Sequence, residues 1–257
     1  MNKTATRPIR LMHKIVGQRD GSETLAIMPP PEVYDEEYRY WPWGLLIQWA
    51  ASWVEKNAPH DAVVYDYMCG TAYLLDRIRQ GRADLRLAGC DINSSFVDYA
   101  VRRYGPISIE CADARNLHLR SPPGILLCTA GLHHLTYGEQ EDFLDKMVSE
   151  CDLDTLILIG EEVIEEYHDE KTRRLAALRL SHSLIEYGIR SDWPSEQLEA
   201  AVDVLKNDVL FRGEYKRSAI EWERLLQQRF VIVETRWMWR AEGGGGDIVF
   251  ICRRRGM

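Results

Sequence analysis

The chain has 257 residues, of which 46% are hydrophobic and 28% are charged, and its formal net charge is −8. This length suits one well-buried α/β domain with an added cap. Proteins that bind nucleic acids usually carry a basic surface, whereas the basic run of this chain is limited to residues 253–255, so we expect no nucleic-acid partner.

The sequence contains no apolar run of the roughly 18 residues that a membrane span needs, and residues 1–17 lack the apolar core of a signal peptide. Its six cysteines form no CxxC pair, which favours free thiols in a reducing compartment. We therefore expect a cytoplasmic protein with no membrane partner and no bound metal.

The N-terminal arm is predicted to be irregular over residues 1–43, with a stiff, extended joint at Pro29–Pro31. Five aromatic residues fall within ten positions of this arm: Tyr34, Tyr38, Tyr40, Trp41 and Trp43. They either pack the arm onto the domain or line a pocket. Apolar residues then recur at helical spacing over residues 44–57, which predicts a helix.

Strands and helices alternate beyond this helix. The predicted strands begin with one that starts at Val63 and continue, in chain order, with residues 85–91, 107–111, 124–129 and 155–160. Apolar residues at helical spacing lie between the strands, and Thr136 and Glu139 form a capping box for one of these helices. Such alternation indicates a parallel sheet with helices on both faces.

The alternation stops after the fifth strand. Residues 163–215 contain two long helical patterns and no strand, and we expect them to form a helical cap on the carboxyl edge of the sheet. Residues 230–239 and 247–252 are typical of two strands joined by a glycine loop, an antiparallel hairpin. The predicted fold is a Rossmann-like, seven-stranded, mostly parallel sheet with this hairpin and cap, in which residues 1–60 precede a domain over residues 61–257. Only the last strand is expected to be antiparallel.

The first strand leads into a turn suited to a ligand. Its apolar run ends at Asp66, and Gly70 lies in the small-residue turn that follows. Asp91 and Asp113 stand at the ends of the next two strands. Asp91 lies roughly 20 residues beyond the turn, the spacing at which an acid reaches a ribose hydroxyl in a nucleoside-binding βαβ unit. The three acids therefore indicate a nucleoside-type ligand at this edge of the sheet.

This constellation resembles that of class I S-adenosylmethionine-dependent methyltransferases. Asp66 and Gly70 fit the acid and glycine turn of their first motif, while Met68 and Ala72 replace two of its glycines. The resemblance runs from about residue 60 to the end of the chain, interrupted by the helical insertion. It implies S-adenosylmethionine as the cofactor and methyl transfer as the activity.

The resemblance implies that seven residues bind the cofactor: Asp66, Gly70, Asp91, Ile92, Asp113, Ala114 and Thr129. Gly70 would let the backbone approach the amino acid part of the cofactor. Asp91 would accept hydrogen bonds from both ribose hydroxyls, and Asp113 would contact the adenine amino group. Thr129 and residues 132–135 would line the methyl end.

Methyl transfer is an in-line displacement, so the protein mainly positions the nucleophile and removes its proton. From the bases at strand ends we select His133 and Glu161 as catalytic residues. The pair formed with His134 is equally compatible with plain loop structure. Glu161 begins an acidic run that is typical of a solvated helix face, but its place at a strand end could direct it into the pocket.

Aromatic residues are predicted to hold the substrate. Tyr38 and Trp41 of the arm, with Trp43, would meet Trp237 and Trp239 of the hairpin over the methyl end of the cofactor. Because Trp237 and Trp239 are two positions apart on a strand, we expect them to share one face. Such a mostly apolar enclosure suits a small, planar molecule.

We therefore expect a methyltransferase in small-molecule or natural-product metabolism, acting on an N, O or C nucleophile, with homodimerisation left open. A narrower resemblance, to the carboxy-S-adenosylmethionine synthase group, rests on the arm, on the Asp-Ile-Asn at residues 91–93 and on the insertion. The carboxylate-binding arginine of that group has no clear match. Two other classes stay open, a non-catalytic methyltransferase-like interaction module and a nicotinamide-dependent oxidoreductase. The latter needs a G-x-G-x-x-G turn that residues 68–72 lack.

Overall fold

The computed structural model describes residues 28–256. The strands are β1 (Val63–Tyr67), β2 (Arg86–Asp91), β3 (Ser108–Cys111), β4 (Ile125–Thr129), β5 (Leu156–Val163), β6 (Phe230–Arg240) and β7 (Gly246–Arg254). They form one sheet in the order β3-β2-β1-β4-β5-β7-β6. Strands β1 to β5 pair in parallel, and β7 runs antiparallel to both β5 and β6. The predicted seven-stranded sheet with an antiparallel last strand is confirmed.

Eight α-helices accompany the strands in the described residues. They are α1 (Pro31–Tyr40), α2 (Trp43–Asn57), α3 (Tyr73–Gly81), α4 (Ser94–Tyr104), α5 (Tyr137–Glu150), α6 (Glu170–Arg190), α7 (Ser195–Leu210) and α8 (Ala219–Arg229). A 3-10 turn covers Leu132–His134. None of these helices has the length and apolarity that crossing a membrane requires.

Side chains that alternate along the strands pack on both faces of the sheet. In β1, Val64 belongs to a core cluster with residues of α2 and α3. Its neighbours Tyr65 and Tyr67 point to the other face and join residues of α5 and α8. Because both faces are covered, the central strands are buried, as expected for a parallel sheet.

The prediction of an irregular arm up to residue 43 is wrong where the structure describes the chain, while residues 1–27 lie outside the described part. Helix α1 begins at Pro31, directly after Pro30. A proline at the first helical position costs the helix no hydrogen bond, and its fixed φ already has the helical value. Pro31 therefore starts a helix, whereas Pro30 before it keeps an extended backbone with φ −54° and ψ 145°.

Strand β5 is longer than predicted, because it does not end at Gly160 but continues through Glu161 and Glu162 to Val163. These acids pair in register with Ile248 and Asp247 of β7. The antiparallel partner supplies the hydrogen bonds that extend the strand beyond its parallel neighbour.

The two helical patterns predicted over residues 163–215 correspond to α6 and α7. Leu184, Trp193 and Ala201 from this region form a buried cluster with Trp41, which follows α1. Trp41 Nε1 also donates a 2.7 Å hydrogen bond to Gln197 Oε1 of α7. The arm and the helical insertion are therefore packed against each other.

Candidate functional site

Three residues of the turn after β1 have the positive φ values that glycine favours, although only one of them is a glycine. Met68, Gly70 and Ala72 have φ values of 55°, 56° and 60°, in the left-handed region that costs other residues about 1–2 kcal/mol each. The Met68 side chain packs so closely on Gly131 that a Cβ there would lie 2.9 Å from Met68 Cβ. The turn therefore has the local geometry of the glycine motif despite its two replacements.

A cavity at the carboxyl edge of the sheet, here called the outer cavity, collects most of the predicted cofactor residues. Those that line it are Gly70, Asp91, Ile92, Asp113 and Ala114. Sequence reasoning missed further lining residues, among them Tyr34, Phe96, Arg115, Thr136, Glu139 and Tyr215. Tyr34 comes from α1 and Tyr215 follows α7, so elements far apart in sequence close this cavity.

Asp91 is the acid best placed to bind a ribose. Its Oδ2 accepts a 2.8 Å hydrogen bond from the amide of Gly70, and its Oδ1 accepts one of 2.8 Å from the amide of Asn93. Each oxygen keeps a second lone pair for a hydroxyl donor. Burial raises the pKa of Asp91, and the two amide hydrogen bonds oppose that rise. These remaining acceptor positions fit the two hydroxyl groups of the ribose of S-adenosylmethionine.

Asp113 lines the outer cavity but is already paired. Its carboxylate forms a salt bridge of 2.7 Å with Arg115 and also accepts a hydrogen bond from Asn116. Burial would raise the pKa of Asp113, but the hydrogen bonds from Arg115 lower it overall. An adenine amino group would therefore share this carboxylate with Arg115.

Two predicted cofactor residues do not line the outer cavity. Asp66 is 1% exposed, and its Oδ1 has no hydrogen-bond partner among the described residues. Burial, with the nearby Asp91 carboxylate, raises the pKa of Asp66 to about 8. Thr129 is half-buried at the end of β4, one residue before Ala130, which does line the cavity.

A second cavity, here called the inner cavity, adjoins the first and has a volume of about 450 Å³. The two cavities share Met28, Tyr34, Ala130 and His134. The inner cavity continues between α1, α7 and the ends of β5 and β7, and Trp41 and His133 line it. The two cavities therefore adjoin at these four residues.

His133 lies between two buried carboxylates. Its Nδ1 is 2.7 Å from Glu161 Oε2, and its Nε2 is 3.6 Å from Glu214 Oε2. Burial alone would lower the pKa of His133, but the carboxylates of Glu161 and Glu214 raise it overall. Glu161 is 0% exposed, and its Oε1 also accepts a hydrogen bond from the amide of Leu132. It orients the imidazole and does not line either cavity.

His133 also belongs to a group of side chains that have the spacing of metal ligands. His133, His134 and Glu214 place three potential ligand atoms within 4.8 Å of one another. The Lys216 ammonium lies 2.8 Å from Glu214 Oε2, so a cation of this chain already neutralises the carboxylate of the cluster. This ion pair weakens the attraction of the cluster for a metal.

The predicted aromatic enclosure is only partly assembled. Trp41 lines the inner cavity, whereas Tyr38 stacks on Tyr73 with ring centroids 4.1 Å apart and lines neither cavity. Trp237 and Trp239 also line neither, and the expectation that they share one face is wrong because a register shift separates them in β6. Tyr34 takes the central place at both cavities. The helical spacing of Tyr34, Tyr38 and Trp41 was the sequence signal for it.

Residues 64–151 match the family model described as a methyltransferase domain. No curated protein matches the chain in sequence. Among solved structures, the chain is similar to the 1,6-didemethyltoxoflavin-N1-methyltransferase of Burkholderia thailandensis, which has bound S-adenosylhomocysteine. The identity is 14% and the TM-score 0.56, over 94% of this chain and 93% of that one.

The N-methyltransferase NodS from Bradyrhizobium japonicum WM9, in complex with S-adenosylhomocysteine, is 9% identical with a TM-score of 0.52, over 80% of this chain and 84% of that one. The mitomycin 7-O-methyltransferase MmcR is 16% identical with a TM-score of 0.53, over 82% of this chain. The present chain spans 54% of that protein.

These identities are low, so the solved structures establish a shared fold. The family model covers the turn after β1 together with Asp91 and Asp113. The narrower resemblance to carboxy-S-adenosylmethionine synthases is not confirmed. The family model thus identifies residues 64–151 as a methyltransferase domain, on a fold shared with methyltransferases solved with S-adenosylhomocysteine, which indicates S-adenosylmethionine as the cofactor.

Proposed function

We propose that this protein transfers the methyl group of S-adenosylmethionine to a small molecule held in the inner cavity. The observation that carries the proposal is that the two cavities adjoin at Tyr34, Ala130 and His134, which line both. With the nucleoside against Asp91, the far end of the cofactor would point to this junction. The inner cavity is walled by α1 and α7, and such an enclosure suits a small acceptor better than a polymer.

The cofactor supplies an electrophilic methyl group on a sulfonium. In our proposal Gly70 and Asp91 hold the cofactor, and Tyr34 covers it from α1. A side chain at Gly70 would crowd this arrangement, because a Cβ there would lie 3.2 Å from Tyr34 Cε1.

His133 is the candidate general base of the reaction. It lines the inner cavity, and Glu161 fixes its Nδ1, so that Nε2 faces the space next to Glu214. In its neutral form, Nε2 would accept the proton that an N, O or C nucleophile releases on methylation. Glu161 would act as a positioning residue that keeps the imidazole in this tautomer.

The test is an assay of S-adenosylhomocysteine formation with a panel of small aromatic and aliphatic acceptors. His133→Ala should lower kcat about 100-fold, a magnitude typical of losing a general base, and should leave the Kd for S-adenosylmethionine unchanged. Glu161→Gln should lower kcat less, with the same unchanged Kd. The matched control is Glu166→Gln, an exposed acid of the same acidic run. Full turnover in His133→Ala would contradict the assigned base.

A non-catalytic methyltransferase-like module remains the second candidate, because Met68 lines the outer cavity where the motif has glycine. Isothermal titration distinguishes the two candidates. A catalytic protein should bind S-adenosylmethionine in the micromolar range typical of enzyme substrates. A folded protein that binds neither S-adenosylmethionine nor S-adenosylhomocysteine would favour the module.

The narrower alternative, a carboxy-S-adenosylmethionine-type enzyme, needs a cation for the extra carboxylate. Arg115 lines the outer cavity but is bound to Asp113 and Glu139. Arg217 is buried and donates to Gln140 and to the carbonyl of Tyr137. Neither arginine supports this alternative, so we favour a methyl donor.

A further inference from the structure

The inner cavity is lined by an excess of acidic residues. Its carboxyl groups belong to Glu37, Glu162, Glu196, Glu199, Asp203, Glu214 and Asp247. Among the described lining residues, Lys216 is the only lysine or arginine. Carboxyl groups therefore outnumber lysine and arginine side chains around this space.

Lys216 cannot correct the imbalance, because it is shared among three carboxylates. Its Nζ lies 2.8 Å from Glu214, 2.9 Å from Glu162 and 3.3 Å from Asp208. Asp208 is further neutralised by Arg173, at 3.0 Å. Lys216 is thus shared by three carboxylates, and Asp203 is paired with Lys206 at 2.7 Å. Lys216 also lowers the pKa of Asp247, but burial outweighs this effect and raises that pKa overall.

Two of the remaining carboxyl groups are both buried and unpartnered. Glu37 is 6% exposed and Asp247 is 2% exposed. No described residue forms a hydrogen bond or an ion pair with either side chain. Both groups line the inner cavity, Glu37 from α1 and Asp247 from β7, so they approach it from different elements.

Burial raises the pKa of Glu37, and Glu162 and Glu214 raise it further. Burial also raises the pKa of Asp247, with Glu162 adding to the effect. Both groups therefore gain stability from a cation in the cavity, since a buried carboxyl needs a hydrogen-bonded or charged partner.

Aromatic rings complete the wall. Tyr34, Trp41 and Trp43 all line the inner cavity. An ammonium group over the face of a tryptophan or tyrosine ring is attracted by the ring electrons, more strongly when it is removed from water. Acidic groups together with aromatic faces are a combination that favours organic cations over neutral or anionic ligands.

We propose that the inner cavity recognises a small molecule bearing a protonated amine, with the ammonium group bound by Glu37 and Asp247 against the aromatic wall. This proposal rests on the proposed methyltransferase function and specifies its substrate class. The ammonium group is the part of the substrate that the protein recognises. The proposal does not require that this nitrogen is the atom that is methylated.

The test is isothermal titration of the full chain, first loaded with S-adenosylhomocysteine, with pairs of matched probes. Phenethylamine and tyramine are compared with the corresponding alcohols and carboxylic acids. We expect the amines to bind about tenfold or more tightly than the alcohols, the range for a charge-assisted hydrogen bond, and the carboxylic acids to bind weakest.

Glu37→Gln and Asp247→Asn keep the shape of each side chain and should each reduce the preference for amines over alcohols several-fold. The charge-matched control is Glu234→Gln, an exposed acid of β6 outside both cavities, which should keep the wild-type preference. The comparison of amine and alcohol in the wild-type protein does not depend on whether the variants fold.

The outcomes separate this inference from the proposed function. If S-adenosylhomocysteine binds but amines bind no better than alcohols, the amine proposal is overturned and the methyltransferase function stands. If S-adenosylhomocysteine does not bind, the proposed function itself fails. A third outcome is that zinc binds at one equivalent per chain and abolishes the binding of amines. This result would assign the acidic cavity to a metal and would also overturn the proposal.

Discussion

Met68 and Ala72 show how a degenerate motif can keep its geometry. Both residues adopt left-handed backbone conformations, which glycine adopts without strain and other residues do not. Such strain persists only where neighbouring structure enforces it. Here the paired strands β1, β2 and β4, together with the packing of Met68 on Gly131, hold the turn. The backbone at Gly70 is thereby kept open to a ligand.

At the same scale, Asp91 is the residue on which cofactor affinity should depend most. Removing its carboxylate would eliminate the acceptor for two ribose hydroxyls and release the amides of Gly70 and Asn93. Hydrogen bonds to a charged group contribute about 1.5–3 kcal/mol. Asp91→Ala should therefore weaken S-adenosylmethionine binding about tenfold or more, measured by isothermal titration. Asp98→Ala, an exposed acid of α4, is the control, and an unchanged Kd in folded Asp91→Ala would exclude this role.

Asp66 should make stability depend on pH. Its pKa is raised to about 8 by burial and by Asp91, against about 4 in an unfolded chain. The folded state therefore retains a proton that the unfolded state releases as the pH rises through this window, so the contribution of Asp66 to the free energy of unfolding decreases from about pH 4 to about pH 8.

Urea unfolding at several pH values within that window measures the effect. In Asp66→Asn the free energy of unfolding should fall less steeply with pH than in the wild-type protein. Asp98→Asn should retain the wild-type slope. Equal slopes in Asp66→Asn and wild type would show that Asp66 does not hold a proton in the folded state.

At the scale of elements, α1 is held over the outer cavity by hydrogen bonds to Asp35, and we call this set of contacts the clamp. Asp35 accepts hydrogen bonds from Thr71 at 2.9 Å, from Tyr104 at 2.7 Å and from Tyr99 at 3.2 Å. These contacts fix α1 to the turn after β1 and to α4. They place Tyr34 against Gly70 and hold Glu37 at the inner cavity.

Asp35→Ala should loosen this clamp without unfolding the sheet. We expect faster amide hydrogen exchange in residues 31–40 and several-fold weaker binding of S-adenosylhomocysteine, because three hydrogen bonds to one carboxylate are lost. Glu36→Ala, at the neighbouring exposed position of the same helix, should change neither measurement. If α1 exchanges at the wild-type rate in Asp35→Ala, the clamp does not depend on Asp35.

The sequence predicted the sheet well because its signals are local. Apolar runs that end in acids identify parallel strands, and the capping box of Thr136 and Glu139 is present as expected. Apart from the missed helix that begins at Pro31, the errors lie where distant elements decide the outcome. The register shift between Trp237 and Trp239 depends on β7, and the extension of β5 through Glu161 also depends on that partner.

The same reason explains what could be predicted of the candidate site. Gly70, Asp91 and Asp113 follow successive strands, so their meeting at one edge follows from the topology. The inner cavity is built by α1, α7 and β7, which approach from three separate parts of the chain. No spacing in the sequence places Glu37 and Asp247 at the same cavity.

At the scale of the whole molecule, the formal net charge is −8, and seven acidic residues line the inner cavity. Like charges held in a space with low-dielectric walls focus the field and attract ligands of opposite sign. S-adenosylmethionine itself carries a positive sulfonium, so in our proposal the acidic inner cavity at its methyl end would also favour the methyl donor over its neutral thioether product.

The most direct test of the central claim is a crystal structure of the protein with S-adenosylhomocysteine bound. We expect the ribose hydroxyls within hydrogen-bond distance of Asp91, the adenine beside Asp113, and the sulfur at the junction between Tyr34, Ala130 and His134, pointing into the inner cavity. A ligand bound outside the outer cavity, or a sulfur directed away from the inner cavity, would contradict the account.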